Sequence, residues 1–257
     1  MDRVRSTQGN PIRFKAENRG LPSQQQEDSE TEDESGDTYH ESIADGDILD
    51  SEEEQKEGSR HESELLEKYE IWDNPEIQDF LDDVYDELVP FMARQDLEYD
   101  FLALDADVPF ASSCPNGAIY FSRSMLENLD AEELLFFAAH ELAHTELRHY
   151  ASRQRRLADL RKAISAPMGS PTRHRFDVAA VLTVRHQEEF EADFQAGVWT
   201  DHQLGADALS TLHELCKLKA PESLNRSTHP SFPLRVESLN QKRPFPSPLS
   251  YLYSLVS

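Results

Sequence analysis

An apolar segment that ends in a histidine–glutamate–histidine pattern constrains the fold of this chain more than any other feature. Residues Leu134 to Ala139 form the longest apolar run, and His140-Glu141-Leu142-Ala143-His144 follows directly. Asp130 and Glu133 have the spacing of a capping box, which predicts a helix that begins just after Asp130. Two imidazoles and a carboxylate are costly to bury unless they share a function. The segment therefore predicts a buried helix built around a polar site.

The spacing within this pentapeptide is typical of a zinc site. Residues i and i+4 lie on one face of a helix, so His140 and His144 can bind one zinc ion. Glu141 is rotated by about 100° and misses the metal, but it can reach a water that the metal holds. The alternative is an amphipathic helix with surface histidines, and the apolar neighbours Phe136 and Leu142 argue against it. We predict one zinc ion per chain.

A catalytic zinc ion usually takes three protein ligands and one water, so a third ligand is required. Glu146 and His149 point to other sides of an uninterrupted helix, and we interpret His149 as a structural or surface histidine. In the next long helix, Glu189 and Asp193 lie about one turn apart on one face. Glu189 can bind the metal while Asp193 accepts a hydrogen bond from a ligating imidazole, whereas Glu191 points elsewhere. The alternative for this segment is a solvated acidic face.

Helical patterns dominate the rest of the folded region, and a small sheet precedes the zinc-binding helix. Alternation of apolar and acidic residues over 97–104 and the apolar run at 118–122 predict short strands. Apolar residues at helical spacing predict helices over about 75–88, 131–163, 176–200, 204–218 and 232–241. These elements together predict an α+β fold.

Charge is distributed unevenly along the chain. The formal net charge is −25, and residues 27–64 hold 17 acidic residues against two basic ones. Such a segment buries too little apolar surface to offset the conformational entropy lost on ordering. We therefore predict a disordered acidic N-terminal tail over 1–64, a folded domain over 65–243 and a Pro-rich C-terminal tail over 244–257.

Composition excludes several classes of protein. No apolar run approaches the roughly 18 residues of a membrane span, and the N-terminus lacks the hydrophobic segment of a secretory signal. Two cysteines, Cys114 and Cys216, are too few for a disulfide scaffold, and we interpret Cys114 as an inert thiol. These features predict a cytoplasmic protein. A chain this acidic is a poor general binder of nucleic acid.

One basic stretch departs from this acidity. Residues 149–186 hold eight Lys and Arg residues against Asp159 and Asp177, which is typical of a solvated helix surface. A nucleic-acid-linked function is the alternative for this stretch. We hypothesise instead that the acidic tail folds back on it, or on the catalytic cleft, and lowers activity.

Three motifs occur in a fixed order: H-E-L-A-H at 140–144, E-F-E-A-D at 189–193 and S-T-H-P-S-F-P-L-R at 227–235. In this combination the chain resembles the gluzincin metallopeptidases of the CAAX prenyl protease and HtpX heat-shock protease type, peptidase family M48, from about Glu98 to Leu239. The resemblance implies a zincin-like metallopeptidase domain. Many members carry membrane spans, so this chain is similar to the small soluble ones.

The resemblance also implies roles for individual residues. Glu189 is the third zinc ligand, and Asp193 supports the ligands from behind. His229 hydrogen-bonds the oxyanion of the reaction, and Arg235 supports it or the acidic helix. The strand before the main helix is implied to be the edge to which substrate adds, at Gly117, Ala118, Ile119 and Tyr120.

These residues imply a zinc-dependent endopeptidase that acts on protein or peptide substrates. Glu141 takes the proton of a zinc-activated water as general base, and His229 stabilises the tetrahedral oxyanion. The competing hypothesis is a catalytically silent, metal-stabilised scaffold or adaptor that acts through its acidic tail. Cleavage of an unfolded protein separates the two hypotheses.

Overall fold

The computed structural model describes residues 49–164, 169–221, 229–242 and 245–256. Its helices and strands, in chain order, are α1 (Ser51–Lys68), α2 (Pro75–Leu88), β1 (Asp100–Leu104), β2 (Ala111–Ser113), β3 (Ala118–Ser122), α3 (Arg123–Asn128), α4 (Ala131–Glu146), α5 (His149–Lys162), α6 (Pro171–Trp199), α7 (His202–Lys219), α8 (Phe232–Gln241) and α9 (Pro248–Val256). A short 3-10 helix, Val89–Phe91, extends α2. The described chain is mainly helical with a small sheet, which confirms the predicted α+β fold.

The two helices that carry the motifs begin at side chains that cap them. Asp130 and Glu133 form the predicted capping box at the start of α4. At the start of α6, the Ser170 side chain accepts a hydrogen bond from the amide of Arg173, and Pro171 occupies the first position. A proline is tolerated there because the first amide has no partner within the helix. These local signals set where each helix begins, and hence which residues face its neighbour.

The sheet has the strand order β1-β3-β2. β1 runs parallel to β3, and β2 runs antiparallel to it with Ser112 opposite Tyr120. All five residues of β3 are buried. The turn between β2 and β3 requires Gly117, whose φ is +102° and whose added Cβ would lie 2.5 Å from the carbonyl oxygen of Glu98. In the strand order β1-β3-β2, β2 is an outer strand, and it packs against α4.

Helix α4 lies in the core, as its apolar composition predicts. It packs against α6, α7 and β2, and both Phe136 and Leu142 are fully buried. Gly205 of α7 faces this helix, since a Cβ at that position would lie 2.3 Å from the Phe136 ring. The glycine therefore allows α7 to approach α4 closely.

The single helix predicted over 131–163 is wrong. α4 ends at Glu146, Arg148 adopts the left-handed conformation with a φ of 51°, and α5 begins at His149. No Gly or Pro marks this break in the sequence, although a non-glycine residue in this conformation carries strain. The Arg148 side chain donates hydrogen bonds to Glu54 and to the carbonyl of Leu49. Tertiary contacts therefore hold the break.

The predicted boundary of the acidic tail also needs correction, because residues 51–64 are helical. A capping box starts α1, and the carboxylate of Glu54 is buried in ion pairs with Arg94 and Arg148. Leu65 packs against a buried cluster of the sheet. The ion pairs of α1, together with this apolar contact, offset the conformational entropy that the segment loses on ordering.

The chain ends differ from the prediction in one further respect. The predicted C-terminal tail contains α9, which packs against α6 and buries Leu252, because its apolar side chains find a surface on the domain. Residues 1–48, 244 and 257 of the two predicted tails lie outside the described residues. Among the described helices, none is long and apolar enough to cross a lipid bilayer.

Candidate metal centre

Three side chains from α4 and α6 converge on one point between these helices. The Nε2 atoms of His140 and His144 lie 3.1 Å apart, and each lies 3.7 Å from a carboxylate oxygen of Glu189. Tetrahedral zinc with bonds of about 2.0–2.1 Å requires ligand atoms about 3.3 Å apart. The donor set therefore fits a zinc ion. It is the one group of three or more potential metal ligands among the described residues.

The protonation states of these side chains also suit a metal. Burial, together with the neighbouring His140, holds the pKa of His144 well below its ordinary value. A neutral imidazole keeps the lone pair that a metal requires. Burial raises the pKa of Glu189, but the nearby His229 and Arg235 outweigh burial and hold it well below its ordinary value. Glu189 is therefore ionised.

Asp193 and Arg235 support the ligands from behind. Nδ1 of His140 lies 3.0 Å from Oδ1 of Asp193. Burial lowers the pKa of His140, but Asp193 and Glu189 together outweigh burial and raise it above its ordinary value. A carboxylate at this distance accepts a hydrogen bond from the Nδ1–H group, which leaves the lone pair of Nε2 for the metal. The buried Arg235 donates hydrogen bonds of 2.7 and 2.6 Å to Asp193 and lies 3.2 Å from Oε2 of Glu189. One arginine of α8 therefore fixes two carboxylates of α6.

Glu141 lies outside the ligand group and faces β2 instead. Its Oε2 atom accepts hydrogen bonds of 2.8 Å from both the backbone amide and the hydroxyl of Ser113. The neighbouring amide of Cys114 donates to the carbonyl of Ala118 in β3, so the amide of Ser113 points away from the sheet. Ser113 therefore fixes the carboxylate of Glu141, the residue next to His140 in α4, against β2. No sequence pattern singles out Ser113.

The predicted substrate strand needs correction. Ala118, Ile119 and Tyr120 belong to β3, which is paired with β1 on one side and β2 on the other, and Gly117 lies in the turn before it. A strand with two partners has no free edge to which a peptide can add. The outer edge beside Glu141 belongs to β2. This strand is not evident from the sequence, because Ala111, Ser112 and Ser113 lack the β-branched or aromatic side chains typical of strands.

His229 lies at the opening of the centre, and its side chain is 61% exposed. Its Nδ1 atom is 3.0 Å from Oε1 of Glu189. The structure therefore brings His229 to the site that the resemblance implies, in contact with the third ligand residue. In this position an exposed imidazole lies directly against the carboxylate of Glu189.

Of the two alternatives for His149, a structural or a surface residue, the structure shows the first, because its ring is only 1% exposed. Nδ1 of His149 lies 2.9 Å from Nδ1 of His144, and Nε2 lies 3.1 Å from a carboxylate oxygen of Glu191. The break at Arg148 turns the chain and brings His149 back to the ligand. Glu191 points away from the ligand group, as predicted, and is connected to it only through His149.

Two hydrogen-bond donors besides His149 fix the carboxylate of Glu191. The guanidinium of Arg156 donates a hydrogen bond of 2.7 Å to one of its oxygens, and the amide of Gln187 donates one of 2.7 Å to the other. Burial raises the pKa of Glu191, but the hydrogen bond from His149 and the charge of Arg156 outweigh burial and lower it to about 2. The sequence offers no signal for this cluster, because it depends on the unmarked break between α4 and α5.

Comparison with known proteins agrees with this geometry. The model of Peptidase family M48 matches residues 73–243, a range that includes all three candidate ligand residues as well as Glu141, His229 and Arg235. No curated protein matches the chain significantly. Because the family model covers well over half of the chain, this chain belongs to peptidase family M48.

Proposed function

We propose that this chain is a zinc-dependent endopeptidase in which His140, His144 and Glu189 hold the metal and Glu141 is the general base. Membership of a peptidase family supports hydrolysis of peptide bonds. The observation that carries the finer proposal is the convergence of two imidazole nitrogens and a carboxylate on one point. A second carboxylate, that of Glu141, stands beside this point on the side of the outer strand.

The residues divide the chemistry between them. A zinc ion at this point supplies Lewis-acid chemistry, which activates water and polarises the scissile carbonyl. Glu141 accepts the proton of the attacking water and returns it to the leaving amine. His229, at the opening of the site, donates a hydrogen bond to the oxyanion that develops. The outer edge of β2 binds an extended peptide through its backbone groups, so Ala111–Ser113 replaces the predicted substrate strand.

The test compares the wild type with Glu141→Gln on an unfolded protein such as denatured casein. Removal of the general base is expected to lower the cleavage rate by about 10²–10⁴-fold while zinc content stays at one ion per chain. His144→Ala is the complementary variant, and we expect it to lose the zinc. Normal cleavage by Glu141→Gln contradicts the mechanism. A wild type that binds zinc and cleaves nothing favours the scaffold alternative.

We propose in addition that α1 restricts access to the cleft, as the end of a regulatory acidic segment. The carboxylate of Glu57 accepts a hydrogen bond of 2.9 Å from the hydroxyl of Tyr150. Asn116, in the turn that leads out of β2, donates a hydrogen bond of 3.2 Å to Glu62 of the same helix. α1 therefore contacts both α5 and the turn that follows the outer strand.

The basic stretch at 149–186 contributes less to this contact than its charge predicts. Its arginines mostly pair with acidic side chains of the same two helices: Arg153 with Glu188, Arg156 with Glu191, and Arg161 and Arg173 with Asp177. The carboxylates of α1 instead meet Arg94, Arg148 and the Tyr150 hydroxyl. The contact of α1 with the rest of the domain therefore depends on specific pairs of side chains rather than on a general attraction between charged segments.

A further inference from the structure

His149 and Glu191 have no part in the proposed chemistry. His149 nevertheless contacts the candidate ligand His144, and Glu191 contacts His149. Both ring nitrogens of the buried His149 are engaged, Nδ1 with His144 at 2.9 Å and Nε2 with Glu191 at 3.1 Å. A neutral imidazole has one donor nitrogen and one acceptor nitrogen. Two Nδ1 atoms at hydrogen-bonding distance therefore require that one ring donates and the other accepts.

The surroundings of Glu191 decide which ring donates. Its oxygens accept hydrogen bonds from Arg156 and Gln187, both at 2.7 Å, so it is an ionised acceptor. An acceptor there requires a proton on Nε2 of His149, which leaves Nδ1 of His149 as an acceptor too. His144 then carries its proton on Nδ1, and its Nε2 lone pair points to the metal site.

We propose that His149 is a positioning residue that transmits the acceptor character of Glu191 to His144 and holds this ligand in its metal-binding tautomer. The inference rests on the zinc site of the proposed function and deepens it. Asp193 does the same for His140 in a single step, at 3.0 Å. Such outer hydrogen bonds orient metal-binding imidazoles and raise their affinity. The centre therefore has two supports, one direct and one relayed through a second histidine.

The test is zinc affinity, measured without substrate by competition with a chromophoric chelator. His149→Phe keeps a ring in the buried space and removes both hydrogen bonds, so we expect zinc affinity to fall by about 10–100-fold. His149→Asn restores an acceptor near the position of Nδ1, and we expect it to bind zinc more tightly than the Phe variant. Far-UV circular dichroism of each variant verifies that the helices are intact.

The matched control is His186→Phe. His186 is also a buried histidine of α6, but its Nδ1 atom lies 2.8 Å from the hydroxyl of Tyr251 rather than against one of the two candidate ligand histidines. We expect this variant to keep wild-type zinc affinity. The relay is overturned if His149→Phe binds zinc as tightly as the wild type, or if His149→Asn gives no recovery. A wild type that binds no zinc overturns the proposed function as well, whereas tight binding by both the wild type and His149→Phe overturns the relay alone.

Discussion

At the scale of single residues, the centre is organised by side chains that touch the ligands and the general base rather than the metal point. Ser113 holds Glu141 with two hydrogen bonds to one oxygen, and Arg235 holds both Glu189 and Asp193. Each of these supports comes from a different element, β2 or α8. Substitutions at these residues therefore separate positioning from metal binding.

Ser113→Ala removes the hydroxyl bond to Glu141 and keeps the backbone amide bond. A hydrogen bond to a charged group contributes about 1.5–3 kcal/mol, so we expect kcat to fall by about tenfold with zinc content unchanged. Ser112→Ala is the control, because the neighbouring side chain of a strand points to the opposite face. Steady-state kinetics on a fluorogenic peptide measures the effect. An equal loss in both variants contradicts the assigned role of Ser113.

Arg235→Met leaves the buried carboxylates of Asp193 and Glu189 without their shared counter-charge. Removal of one partner from a buried ion pair destabilises a protein by about 3–5 kcal/mol. We expect a loss of this order in the free energy of unfolding by urea, measured with chelator present so that metal binding does not contribute. Arg235→Lys keeps the charge but not the planar fork, and a smaller loss is expected for it. Equal stability of wild type and Arg235→Met is the contrary result.

Cys114 is fully buried, and burial raises the pKa of its thiol from about 9 to about 12. Only the thiolate reacts with alkylating reagents. At pH 8 the thiolate fraction of the folded state is therefore about 10³-fold lower than that of an ordinary thiol, and it rises as pH approaches 12. We expect iodoacetamide to modify Cys114 rapidly only in denaturant, as peptide mass spectrometry can show. Rapid modification of the native protein contradicts this prediction of an inert thiol.

At the scale of elements, the sequence predicts the helices that are strongly apolar or clearly capped and misses the features set by tertiary contact. The start of α4 and the placing of two histidines and Glu189 on facing helices follow from spacing along a helix, whereas α6 begins at Pro171, five residues before its predicted start. The break at Arg148 does not, because a non-glycine residue takes the left-handed conformation there only under tertiary contact. β2 and α1 are missed for a related reason, since two serines or a run of acids gain their order from partners distant in sequence.

Helix α1 offers a test at this scale, because Gly58 packs directly on the turn that follows β2. A Cβ at Gly58 would lie 2.4 Å from the backbone nitrogen of Asn116, so Gly58→Ala forces the helix away from the turn. An overpacked contact costs about 1–3 kcal/mol, which is enough to raise kcat/KM about fivefold or more if α1 restricts the cleft. Ser59→Ala, on the exposed side of α1, is the control and should not change cleavage. Unchanged or lower kcat/KM in Gly58→Ala contradicts the restrictive role.

At the scale of the whole molecule, the matched family region and the rest of the chain differ in character. The family match begins at residue 73 and ends at residue 243, so α1 and α9 both flank it. Each of these helices packs on the matched region, α1 through paired carboxylates and α9 through apolar side chains. The net charge of −25 thus says little about the centre, where a few placed carboxylates matter more than the total.

Metal removal tests the coupling of the centre to global stability. A ligand that binds the folded state at 100–1,000 times its Kd stabilises it by about 2.7–4.1 kcal/mol. For a domain of this size we expect chelation of zinc to lower Tm by about 5–16 °C, measured by calorimetry. His144→Ala, which lacks one ligand, should show no further drop when chelator is added. An identical Tm for the wild type with and without chelator contradicts the zinc site.

In the proposed function, the short length of β2 limits which proteins can bind to its edge as substrates. An outer edge of three residues offers only a few backbone groups, and a partner must present a free, extended main chain to pair with them. Helices and paired strands in folded proteins have no such groups to offer. Damaged or unfolded chains have free backbone groups. We therefore expect the availability of these groups to separate substrates from folded proteins before any side chain is recognised.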